Sequence, residues 1–143
     1  MTSEHEFLIL IVALASVGAV GAAWFIRRRV RAQPAATDML TVDQLKARLE
    51  AGRGRVLDVR TPGNFNGEQG HIAGAFNLPL EELPSRLAEL GDDRRQPVAI
   101  VCRTDRKSAA AAALLAEHGF TDAHAVRGGM TAWRERGWAT KRD

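Results

Sequence analysis

Apolar and polar positions divide the chain into a hydrophobic head and a patterned body. Residues 7–26 read FLILIVALASVGAVGAAWFI, twenty positions without a charge. A helix of that length spans roughly 30 Å, the hydrocarbon thickness of a bilayer. A buried helix of a globular core would carry a polar stripe, and this run has only Ser16. The pattern therefore predicts one transmembrane helix. Beyond it the spacing changes. Thr41 to Gln44 reads TVDQ, a capping box that opens a helix with Leu45 and Leu49 on one face and Gly52 as its stop. Val56 to Val59 is a short β-rich run. Residues 61–71, TPGNFNGEQGH, read as a loop. A short strand is expected around Phe76 to Leu78, and a helix is marked by Leu83, Leu87 and Leu90 and stopped at Gly91.

The second half repeats the alternation. Val98 to Val101 is uninterrupted apolar sequence, as in a parallel strand covered on both faces. Ser108 is placed to cap a helix running to about His118, with Gly119 and Phe120 as a Schellman stop. Ala123 to Val126 is another strand. Gly128 and Gly129 form a tight turn into a last helix with Met130 and Trp133 on one side. Short strands alternating with helices argue for an α/β fold with a parallel sheet.

Charge then orients the head. The first six residues, MTSEHE, hold two acids and no Lys or Arg, whereas RRRVR follows the apolar run. A cleaved signal peptide has the opposite polarity, so an uncleaved anchor is expected. The positive-inside rule places everything after it in the cytoplasm. The expected organisation is an extracytoplasmic N-terminus (1–6), a transmembrane helix (7–26), a basic linker on the lipid headgroups (27–37) and one folded domain (38–143). The net charge is +3, and four arginines of that linker carry more than this excess. The folded part is therefore near balance, which argues against a nucleic-acid partner. One cysteine allows no internal disulfide, and the four histidines are scattered. No metal and no cofactor are expected.

The candidate chemistry lies in CRTDRKS, residues 102–108, between the last apolar strand and an alanine-rich helix. In a parallel α/β sheet, ligands bind beyond the C-terminal ends of the strands. Cys102 sits there, facing the positive end of a helix. Arg103, Arg106 and Lys107 add full charges, and each favours the thiolate. Asp105 opposes them. The six positions from Cys102 to Lys107 suffice to curl a loop around the sulfur as an anion nest. A lone cysteine is often a small core residue, but this setting favours a reactive thiol.

VLDVR at 56–60, GHIAGAFNLPL at 70–80, VAIVCRTDRKS at 98–108, AAALLAEHGF at 111–120 and VRGGMTAW at 126–133 together resemble a single rhodanese domain. The whole chain resembles the membrane-anchored, single-domain rhodanese-like proteins of bacteria. The resemblance implies a three-layer fold with a central parallel sheet. It implies a sulfurtransferase in which Cys102 takes a sulfane sulfur from a small donor such as thiosulfate or a persulfide. A thiol or cyanide-like acceptor then removes it. Arg103, Thr104, Asp105, Arg106, Lys107 and Ser108 would form the substrate- and persulfide-binding loop. Asp58, Arg60 and His71 match the family's scaffold positions and read as structural support. Three departures stand out. Asn64 and Asp105 occupy places where an acid and a glycine are frequent, and Lys107 replaces a frequent arginine. Glu68 is a candidate to remake the ion pair lost at Asn64. Asp tolerates left-handed backbone better than most residues, so the loop can still close. The alternative function is a docking or relay module for a membrane-protein partner. Phosphatase loops of related folds carry Cys, five residues and then Arg. Here Ser108 holds that place, which argues against phosphate chemistry.

Overall fold

The computed structural model describes residues 38–143. The expected transmembrane helix and basic linker lie outside the described residues. Within them, no helix is long and apolar enough to cross a membrane.

Four parallel strands form the centre: β1 (Arg55–Asp58), β2 (Phe76–Asn77), β3 (Val98–Val101) and β4 (Ala123–Ala125). Their order in the sheet is β2-β1-β3-β4. Register is set by Asp58 against both Asn77 and Val101, and by Ile100 against Ala125. The helices are α1 (Val42–Glu50), α2 (Pro62–Phe65), α3 (Arg106–Glu117) and α4 (Gly129–Glu135).

Alternation along β3 explains the layers. Val98 and Ile100 join Leu57, Leu115 and Phe120 in one core, whereas Ala99 and Val101 join Val56, Leu45, Met130 and Trp133 in another. The sheet is thus covered by α3 on one face and by α1 and α4 on the other, giving the three layers expected. Every β3 residue is buried. Each such Val or Ile contributes about 1.5–3 kcal/mol by leaving water.

Helix ends follow local chemistry closely. Thr41 and Gln44 form the reciprocal capping box. At the other end of α1, Gly52 N–H donates to Leu49 O (3.0 Å) and Arg53 N–H to Arg48 O (2.8 Å), a Schellman motif closed by a left-handed glycine. Gly119 and Phe120 close α3 in the same way, through Ala116 O and Leu115 O (3.0 Å each).

Three expectations need correction. Residues 83–90 are two short 3₁₀ turns, Leu83–Ser85 and Leu87–Leu90, rather than one helix. Arg86 leaves helical angles at φ −122°, and the bonds run i to i−3, as from Glu89 N–H to Arg86 O (3.0 Å). Leu83 and Leu90 still reach the core. The segment 61–71, expected as loop throughout, contains the single turn α2, with Thr61 as N-cap and Pro62 at its start. Ser108 is not the cap of α3. Asp105 holds the N-cap position, and Ser108 lies three residues into the helix, wholly buried.

Candidate active site

β1 and β3 are neighbours, so the residues that follow them leave the sheet side by side. Val59 N–H still donates to Val101 O (3.0 Å). Arg60 and Cys102 then emerge at the same C-terminal end of the sheet. They line one cavity of about 490 Å³, together with Arg103, Thr104, Arg106 and Lys107. A second wall comes from the 61–69 segment, through Thr61, Asn64, Gly67, Glu68 and Gln69. Cys102 is buried and forms no disulfide.

The cysteine loop is held from behind. Met130 N–H donates to Cys102 O (2.9 Å) and Thr131 N–H to Arg103 O (3.0 Å). These are first-turn donors of α4, which a helix cannot satisfy internally. Gly129 makes the approach workable. A Cβ there would lie far inside contact distance of Thr104 O and Cys102 O, and its φ of +49° is left-handed. The glycine pair therefore does more than turn the chain. It lets α4 dock against the main chain of the loop.

The loop's own donors remain free. Among the described residues, no main-chain N–H from Arg103 to Lys107 donates to a loop or side-chain acceptor. The first turn receives Ala109 N–H on Asp105 O (2.9 Å). Five amides and the positive end of a twelve-residue helix thus follow Cys102 directly along the chain. The left-handed angle allowed for Asp105 is not used: its φ is −145°. No described residue other than glycine has positive φ.

Cations dominate the cavity. Arg60, Arg103, Arg106 and Lys107 face one acid, Glu68. Lys107 Nζ donates to Glu81 (2.8 Å) at the rim. That hydrogen bond, first among the causes, holds the Glu81 carboxyl below the usual carboxylate range. Glu68 makes no ion pair among the described residues, so the pair lost at Asn64 is not remade there.

The supporting residues divide. Asp58 and Arg60 form a buried fork, with Nη2 to Oδ2 at 2.7 Å and Nε to Oδ1 at 3.0 Å. Arg60 Nη2 also reaches Gly70 O (2.7 Å), which ties the second wall to the sheet. Arg60 Nη1 is buried without a partner among the described residues. His71 stands outside the cavity, stacked on Phe65 at 3.7 Å with Nδ1 3.1 Å from Phe65 O. Asp105, Ser108, Asp58 and His71 do not line the cavity; Arg60, expected only as scaffold, does. In the second wall the sequence singled out Asn64 and Glu68 as a lost and a remade ion pair, not as cavity lining. The α4 donors were signalled only by the paired glycines.

Residues 41–136 match the family model described as the rhodanese-like domain. The chain belongs to the rhodanese-like family. A thiosulfate sulfurtransferase GlpE of Shewanella oneidensis is 40% identical over 96 residues, covering 67% of this chain and 91% of that one. The uncharacterised protein YqhL of Bacillus subtilis is 30% identical over 128 residues, 90% of this chain and 92% of that one. That second likeness is longer than the described rhodanese-like domain and reaches into the N-terminal segment. A rhodanese-related protein of Thermoplasma volcanium superposes with a TM-score of 0.64 at 28% identity, covering 73% of this chain and 98% of that chain.

Proposed function

We infer that the chain is a sulfurtransferase that carries a sulfane sulfur on Cys102. One observation supports this most strongly: the sole thiol lies at a cavity lined by four cations, at the head of a loop with five main-chain N–H groups that have no acceptor among the described residues. In the loading step the thiolate attacks the outer sulfur of a donor such as thiosulfate. The donor's S–S bond breaks, and sulfite leaves with the electron pair. Arg103, Arg106 and Lys107 draw in the anionic donor, and the loop amides hold the persulfide anion that results. In the unloading step a thiol or cyanide attacks the outer sulfur, and Cys102 leaves as thiolate. The chemistry needs no metal or cofactor. The same cavity suits a small donor and a modest acceptor in turn.

The test is sulfur transfer from thiosulfate to cyanide, followed as thiocyanate, with Cys102→Ser beside the parent. The parent turns over and the variant does not. A variant as active as its parent would end this reading.

The reading includes a membrane anchor at residues 7–26, with the rhodanese-like domain on the cytoplasmic side and residues 27–37 on the headgroups. The apolar run and the arginines after it support it. In sealed, oriented membrane vesicles the domain should resist alkaline extraction, and protease should cut it only from the cytoplasmic face. Release by alkali would overturn the anchor.

A further inference from the structure

Ser108 has no place in the cavity wall, yet it touches the reacting atom. Cys102 Sγ lies 3.6 Å from Ser108 Oγ. The Ser108 hydroxyl donates in turn to Asp105 O (3.0 Å). Ser108 is wholly buried and Cys102 nearly so, so water does not mediate the contact. A hydroxyl has one hydrogen to give and two lone pairs to receive. In the thiol state the arrangement is complete: S–H donates to Oγ, and O–H donates to Asp105 O.

Loss of the thiol proton makes that arrangement untenable, because an oxygen lone pair would face a buried anion. The remedy is rotation about the Cβ–Oγ bond, which moves only a hydrogen. Asp105 O tolerates the loss, since it keeps the Ala109 N–H at 2.9 Å. No buried acceptor is stranded by the switch.

We propose that Ser108 is a catalytic residue that accepts a hydrogen bond from the Cys102 thiol and donates one to its thiolate. The proposal rests on the sulfur-transfer reading above and deepens it. The two half-reactions use the donor differently. In the persulfide the charge sits on the outer sulfur, away from Oγ. During unloading the acceptor bonds to that outer sulfur, the S–S bond breaks, and its electron pair returns to Sγ. Ser108 then stabilises the leaving thiolate. During loading Ser108 stabilises the attacking thiolate instead. A thiolate held in this way has a lower intrinsic nucleophilicity.

The experiment compares Ser108→Ala with the parent, full chain in detergent, in single-turnover reactions read by intact mass. Alanine is the strongest helix former, and the melting midpoint checks the fold. Loading from thiosulfate and unloading to cyanide are timed separately at alkaline pH, where iodoacetamide rates have levelled off in both proteins. Unloading should slow by about tenfold, equal to about 1.4 kcal/mol. Loading should stay the same or rise up to about threefold, following the Brønsted slope of thiolate attack. The iodoacetamide profile of the variant should move to higher pH. Equal slowing of both steps, the signature of lost packing alone, would overturn the proposal, as would no change in either. If the parent takes up no sulfur, the sulfur-transfer reading fails and the iodoacetamide profile decides alone. A shifted profile then supports the Ser108 donor, and an unshifted one overturns it.

Discussion

The two walls of the cavity are built on different principles. The Cys102–Lys107 wall continues a strand buried on both faces and runs straight into α3. Its carbonyls are pinned from inside by α4, and it supplies the thiol and three of the four cations of the cavity. The 61–69 wall hangs from one helical turn and is braced from outside. His71 exchanges main-chain bonds with Lys141 (2.8 and 2.9 Å), the Arg142 guanidinium reaches Glu68 O, and Asp143 N–H reaches Asn66 Oδ1 (3.4 Å). Thr61, Asn64 and Glu68 are exposed on it. The first wall is therefore braced through main-chain atoms, and its thiol and cations stand on that fixed frame. The second presents side chains that can vary without disturbing the sulfur.

That contrast predicts a descending series of effects. Gly129→Ala drives a Cβ into Thr104 O and Cys102 O. The loop must move by a sizeable fraction of an ångström, and single-turnover sulfur loading should fall by about 100-fold or more. Asp58→Ala leaves the buried Arg60 charge unpaired and should lower stability by about 3–5 kcal/mol in urea unfolding. The second wall should loosen with it, because Arg60 also holds Gly70 O. Glu68→Gln removes the one acid of the cavity. The KM for thiosulfate should fall by about twofold at low salt, with kcat unchanged and the difference lost in high salt.

Glu81→Gln should have the smallest effect. The Glu81 carboxyl is lowered chiefly by the hydrogen bond from Lys107. The pair is therefore present at neutral pH and is lost as pH falls through the lowered value. Freeing Lys107 should change the neutral-pH rate by less than about twofold, since both groups are exposed. Parent and variant should converge at acid pH. A larger difference in acid than at neutral pH would contradict the assignment.

Much of the fold was legible because its signals are local. The capping box at Thr41, the glycine stops at Gly52 and Gly119 and the apolar run Val98 to Val101 act within a few residues. So does the six-residue cysteine loop. The misses required contacts from elsewhere. The leucine spacing at 83, 87 and 90 fits a helix, but the break at Arg86 yields 3₁₀ turns that bury Leu83 and Leu90 equally well. Ser108 resembles a cap because serine prefers that position, yet burial beside Cys102 gives its hydroxyl another partner. Gly129 reads as a turn residue. Only the packing of α4 on the loop reveals what its missing side chain permits. Asn64, Glu68 and Gln69 enter the site because the tail and Arg60 hold their segment in place, which no local pattern encodes.

The central claim is that Cys102 carries the sulfur. The most direct test is intact mass spectrometry of the full chain after exposure to thiosulfate, then to cyanide, with Cys102→Ser alongside. The account predicts one added sulfur atom on the parent, removed by cyanide with formation of thiocyanate, and no addition to the variant. An adduct on the variant, or none on the parent with either thiosulfate or a low-molecular-weight persulfide, would contradict it.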